Sequence, residues 1–139
     1  MELKQKKVMI VDDEDFMFRL LELALSPFYQ VSYAKSGVEA LQLVLQHQPD
    51  LVMMDICMPG LDGLDTCRLL KNTPETGHIP ILMMSGLDSP RDEMIALDAG
   101  ADAFVSKPIS ARHIQMLVDV FYGYRTFIDQ NSDSQSKTA

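Results

Sequence analysis

The sequence predicts an α/β domain in which a doubly wound, five-stranded parallel sheet carries five helices in three layers. Three observations lead there. Four apolar runs, Val8 to Val11, Leu51 to Met54, Ile81 to Met84 and Ala103 to Val105, do not alternate with polar residues, which is the habit of strands covered on both faces. Helical patterns with readable ends lie between them; parallel neighbours need such crossovers, and right-handed crossovers place helices on both faces. A chain of 139 residues buries roughly 68% of the surface of its unfolded form, enough for one core but not two.

The elements follow in order. After the first run, Phe16, Leu20, Leu23 and Ala24 mark the expected buried face of a helix, which stops near Ser26 because Pro27 disfavours helical geometry in the residue before it. Phe28 to Tyr33 partly alternates, with Val31 and Tyr33 against Gln30 and Ser32, and suits an edge strand. Ser36 and Glu39 have capping-box spacing, with Val38, Leu41 and Leu45 as the expected buried stripe and Pro49 closing the segment. A third helix is expected from Asp62 to about Lys71. Ser89, Pro90 and Asp92 supply a cap, a proline at the first helical position and an acid in the first turn, and Gly100 ends that helix. The last helix begins at Ser110 and carries Ile114, Leu117, Val118 and Phe121. Residues 1–128 form the expected domain, and residues 129–139, almost all polar, an expected disordered tail.

Charge narrows the function. Twenty acidic against 12 basic side chains give a formal net charge of -8, which argues against nucleic acid, since a phosphate backbone needs clustered Lys and Arg. No apolar run approaches the ~20 residues needed to cross a bilayer and no signal segment is legible, so the expected location is the cytoplasm and no membrane partner is expected. Two cysteines, Cys57 and Cys67, are too few for a disulfide framework, and the histidines are scattered.

Polar residues converge where the strands end. The first run ends in Asp12 and Asp13, the second in Asp55, the third in Ser85, and the fourth in Ser106 and Lys107. In an open parallel sheet these ends share the edge where such folds place their chemistry. One aspartate in such a loop is ordinarily a helix cap, but three on neighbouring strands repel one another. At ~4 Å and an effective dielectric near ~20, each like-charge pair costs on the order of 4 kcal/mol. A hard divalent cation, Mg²⁺ or Mn²⁺, would offset that cost and, with a hydroxyl and an ammonium opposite, would hold a phosphoryl group while a carboxylate attacks phosphorus.

Four motifs, in order, make the pattern specific: Val8-Met-Ile-Val-Asp-Asp-Glu-Asp15, Leu51-Val-Met-Met-Asp-Ile-Cys-Met-Pro-Gly-Leu-Asp-Gly63, Ile79-Pro-Ile-Leu-Met-Met-Ser-Gly86 and Gly100-Ala-Asp-Ala-Phe-Val-Ser-Lys-Pro108. Together they resemble the receiver domain of bacterial response regulators, over nearly all of the expected ordered chain. The resemblance implies a flavodoxin-like sheet in the order 2-1-3-4-5, for which a chemotaxis member of this family is a standard example. It implies that Asp55 accepts the phosphoryl group, that Asp13 binds Mg²⁺ directly with Asp12 acting mostly through water, and that the Cys57 carbonyl completes the protein ligands. Ser85 and Lys107 would each meet a phosphoryl oxygen, the Lys107 to Pro108 peptide would be cis, and Phe104 occupies the aromatic switch position without a hydroxyl.

The implied function is a phosphorylation-controlled switch rather than an enzyme. Its donor would be a histidine kinase or phosphotransfer protein, and its output a downstream effector protein or a second copy of the chain, because no output domain follows. Cys57 and Leu87 occupy the family's two variable positions and offer no carboxylate or amide to orient water, so slow self-dephosphorylation is expected. The last helix is apolar over roughly 200° where a one-sided helix needs about 100°, which leaves Met116, Val120 and Phe127 as a candidate partner surface. The competing reading is an Asp-nucleophile phosphate-ester hydrolase; such enzymes carry a second acid two residues after the nucleophile, where this chain has Cys57. A flavodoxin-like cofactor binder is a third reading, but it leaves Asp55 and Lys107 without a purpose and lacks a Gly-rich phosphate loop.

Overall fold

The computed structural model describes residues 6–86, 90–107, 110–120 and 122. Strands β1 (Lys7–Val11), β2 (Gln30–Ala34), β3 (Leu51–Asp55), β4 (Ile81–Ser85) and β5 (Ala103–Ser106) alternate with α1 (Asp15–Leu25), α2 (Gly37–His47), α3 (Gly63–Asn72) and α4 (Pro90–Asp98). Residues 111–120 form a fifth helix, α5. All strand pairs are parallel, in the order β2-β1-β3-β4-β5. Successive side chains of a strand point to opposite faces, and each face here builds its own core. Met9, Val11, Val52, Met54, Ile81 and Met83 meet Ala40 and Val44 of α2, Cys67 and Leu70 of α3 and Ala96 of α4. Val8, Ile10, Leu51, Met53, Leu82, Met84 and Val105 meet Met17, Leu21 and Leu25 of α1 and Ile114 and Val118 of α5. Residues 8–11 of β1, 51–54 of β3 and 81–84 of β4 are apolar and buried because both faces of these central strands are covered.

Helix ends follow the sequence signals. Ser36 caps α2 through Glu39 N–H at 3.1 Å, and Asp62 caps α3 through Asp65 N–H at 2.8 Å. Gly100 takes φ +104 just past α4, a left-handed geometry suited to glycine. Ser110 Oγ accepts from His113 N–H at 3.1 Å at the start of α5. Ser89, Leu87, the Lys107 to Pro108 peptide, Phe121, Phe127 and the tail lie outside the described residues.

Two helix faces differ from expectation. In α1 the buried residues are Met17, Leu21, Ala24 and Leu25, while Phe16 and Leu23 are 77% and 74% exposed. The stripe has the expected period but is rotated by one residue, because α1 is apolar on more than one side and periodicity does not set phase. In α2 the buried residues are Gly37, Ala40 and Val44, and Val38 and Leu45 are exposed. Small residues face inward there because α2 approaches α3 closely: a Cβ on Gly37 would lie 2.2 Å from Thr66 Oγ1. The second strand also starts later than expected, at Gln30, with Phe28 exposed.

Candidate functional site

Strand register assembles the site. Val11 pairs with Met54, so the next step brings Asp12 level with Asp55 on the neighbouring strand. Asp55 pairs with Met84, and Ser85 pairs with Ser106, so Ser85 and Lys107 follow at the same edge. Lys107 N–H donates to the Ser85 carbonyl at 2.7 Å, which carries the β5 end across to β4.

Asp12 and Asp55 are buried and Asp13 is exposed, yet one carboxylate oxygen of each lies within 4.8 Å of the others. The Lys107 ammonium donates to Asp12 Oδ2 and to Asp55 Oδ2, both at 3.0 Å. Asp55 Oδ1 accepts from Cys57 N–H at 3.1 Å, and Asp12 Oδ1 accepts from Glu14 N–H at 2.9 Å. Burial pushes the Asp55 carboxyl above the ordinary aspartate value, with Asp12 adding repulsion, and Lys107 and the Cys57 N–H only partly oppose it. Burial works against the Lys107 charge, but bonds to Asp12 and Asp55 outweigh it and hold the ammonium above its usual range. The donor set suits a hard cation: three carboxylates from two strands, one open to solvent, with room left for water and phosphate oxygens.

The other expected residues have definite places. Ser85 is fully buried at the end of β4. Cys57 is exposed, and partial loss of solvent around its thiol, followed by the Asp55 charge, pushes that thiol up. Phe104 lies opposite Met83 and packs, partly buried, on the α4 side of the sheet. Met116 and Val120 are exposed on α5.

Two supporting residues escaped the sequence reading. Gly63 passes so close to the acceptor loop that a Cβ there would lie 2.1 Å from the Asp55 carbonyl oxygen, while its N–H donates to the Ile56 carbonyl at 2.9 Å. Tyr33 Oη donates to the Asp12 carbonyl at 2.8 Å. The signal for Gly63 was its place closing the second motif; for Tyr33 there was none beyond strand alternation.

The family model of the response regulator receiver domain matches residues 8–119. The chain belongs to this family. This receiver domain is 40% identical over 104 residues to the response regulator PleD of Caulobacter vibrioides, covering 74% of this chain and 23% of PleD. It is 36% identical over 133 residues to the response regulator MprA of a Mycobacterium species, covering 95% of this chain and 56% of MprA. The chain therefore spans about a quarter of one relative's length and just over half of the other's. The signal receiver domain of a signal transduction histidine kinase from Syntrophus aciditrophicus matches with a TM-score of 0.71 at 32% identity, over 82% of this chain and 90% of that one. The Francisella response regulator 1452 receiver domain matches with a TM-score of 0.78 at 26% identity, over 86% and 98%. The expected family and the sheet order 2-1-3-4-5 are thus both found. Among the described residues no helix is long and apolar enough to cross a membrane.

Proposed function

We propose that this receiver domain takes a phosphoryl group onto Asp55 from a histidine kinase or phosphotransfer protein and thereby changes its affinity for an effector. The observation that carries the reading is that the Asp55 carboxylate lies 3.0 Å from the Lys107 ammonium and has an oxygen within 4.8 Å of those of Asp12 and Asp13. Asp55 attacks phosphorus, the bond from phosphorus to the donor's nitrogen or oxygen breaks, and the donor leaves with that electron pair. Lys107, already within one hydrogen bond of Asp55, moves onto a phosphoryl oxygen, and the Ser85 hydroxyl meets another. Asp13, Asp55 and the Cys57 carbonyl would hold Mg²⁺, or Mn²⁺, with Asp12 acting mostly through water, the three carboxylates lying within 4.8 Å of one another. A cation held by these residues would neutralise charge on the transferring group.

Occupation of the Ser85 position then reaches β5, since Ser85 pairs with Ser106 and Phe104 lies on the same strand. Phe104 has no hydroxyl, so the switch works through packing. Met116 and Val120, exposed on α5, form the surface presented to the effector or to a second copy. The domain occupies residues 1–128 and works in the cytoplasm. Cys57 orients no water, so the acyl phosphate persists; the same raised thiol makes a poor acid for a leaving group, which disfavours ester hydrolysis.

Incubation with acetyl phosphate and Mg²⁺, followed by intact mass, tests this. One phosphoryl adduct is expected on the wild type, none on Asp55→Asn and none on the wild type with the metal chelated. An unmodified wild type under saturating Mg²⁺ overturns the assignment of Asp55.

A further inference from the structure

Every polar atom of Asp12 is engaged. Its N–H donates to the Ala34 carbonyl at 3.2 Å, Oδ1 accepts from Glu14 N–H at 2.9 Å and Oδ2 accepts from Lys107 at 3.0 Å. Those partners are backbone groups or a member of the site itself. The fourth, Tyr33, is a side chain brought in from the edge strand β2, where it pairs in register with Ile10. Its Oη donates to the Asp12 carbonyl at 2.8 Å, and its ring lies flat on Phe18 of α1, with centroids 3.8 Å apart at 14°. A tyrosine thus spans from β2 to α1 across the loop that carries both acidic ligands.

We propose that Tyr33 is a positioning residue for the divalent cation, a role that rests on the reading of the acidic cluster as a Mg²⁺ site. The peptide joining Asp12 to Asp13 is planar, so fixing the Asp12 carbonyl oxygen also fixes the direction of the Asp13 N–H and Cα. Asp13 is exposed, and its carboxylate lies within 4.8 Å of those of Asp12 and Asp55, whose like charge would push it outward. The Tyr33 bond opposes that drift before any cation arrives. Phe18 holds the phenol ring in place, so the hydroxyl is preset rather than recruited. Tyr33 touches neither phosphorus nor cation and acts through the Asp12 backbone.

Tyr33→Phe keeps the ring and its stack and removes only the hydroxyl. Titration with Mg²⁺ alone, followed by calorimetry, is expected to give a Kd roughly tenfold weaker than wild type, the lower end of what losing an outer-sphere bond costs a metal site. The rate of labelling by acetyl phosphate at saturating Mg²⁺ stays within about twofold of wild type, since the interaction lost concerns cation placement and not the transfer step. Thr76→Val serves as the control: it removes a buried hydroxyl that donates to the Leu70 carbonyl at 2.7 Å, outside the cluster, and should leave the Kd unchanged. A Tyr33→Phe chain that binds Mg²⁺ as tightly as wild type overturns the proposal while the metal site stands. So does Thr76→Val weakening the Kd equally, which would mark general loosening, or a slowed rate at saturation. A wild type that shows no saturable Mg²⁺ binding removes the site and the role of Tyr33 together.

Discussion

Asp55 is held in a way that costs the resting protein stability. Its carboxyl is raised above the ordinary value of 3.8, first by burial and then by Asp12. The folded chain therefore holds that proton more firmly than the unfolded chain, and stability falls as pH rises through the interval between the two values. The cost is complete above the folded value and disappears as pH is lowered toward 3.8. Asp55→Asn, which keeps an oxygen for Lys107 without the charge, is expected to melt higher than wild type at neutral pH in chelator. The gap should close as the buffer is acidified; thermal melts across that range check it, and an Asn variant less stable at neutral pH contradicts the sign. Residues such as Asp12, Asp13, Asp55, Ser85 and Lys107 were legible because strand ends in a parallel sheet share one edge, so chain position translates into proximity. Tyr33 was not, because it acts through a backbone carbonyl, and sequence carries no trace of which hydroxyl reaches which carbonyl.

At the scale of elements, the types and order were legible and the helix phases were not. Apolar runs and caps announce where β1 or α2 begins, but α1 reads apolar on adjacent faces, and only contact with Ile10 and its neighbours selects Leu21 over Leu20. In α2 the selection ran against size, with Ala40 inward and Leu45 outward. How elements are tied at the edge remote from the acidic cluster also escaped the sequence. Asp102, in the turn before β5, accepts the Ile81 N–H at 2.8 Å and the Lys71 ammonium at 2.7 Å, while Lys71 also donates to the Ile79 carbonyl at 2.8 Å. One carboxylate thus fastens the end of α3, the start of β4 and the approach to β5. Asp102→Ala strands the N–H of a residue 1% exposed, a loss of about 1–3 kcal/mol. Lys71→Met should lose less, since its partly exposed ion pair contributes only about 0–1 kcal/mol and the Ile79 carbonyl it also leaves is an acceptor, which tolerates a missing partner better than a stranded N–H does. Urea unfolding of both variants checks the order; equal losses would locate the effect in the ion pair and not in the capped N–H.

For the whole molecule, excess acid has an address. Asp12, Asp13, Glu14, Asp15 and Asp55 all lie at the carboxyl edge of β1 and β3 or in the first turn of α1, so much of the net charge of -8 is concentrated at one site. Diffuse negative charge and a cation site respond differently to salt. Monovalent ions screen exposed charges over a Debye length of about 10 Å at ~0.1 M, and they act on every carboxylate alike. A cation bound only by the folded state adds stability by mass action, about 2.7 kcal/mol at ~100 times its Kd. For a domain of this size each kcal/mol moves the melting temperature by roughly 3–5 °C, so saturating Mg²⁺ should raise it by about 10 °C. NaCl at matched ionic strength should give only a small part of that rise. Asp13→Asn should abolish most of the Mg²⁺ increment while leaving the NaCl response intact, because one exposed carboxylate is a minor share of the total charge but a third of the acidic ligand set. If NaCl reproduces the full rise, or Asp13→Asn keeps it, the acidic edge is a surface that salt relaxes rather than a place built for one cation.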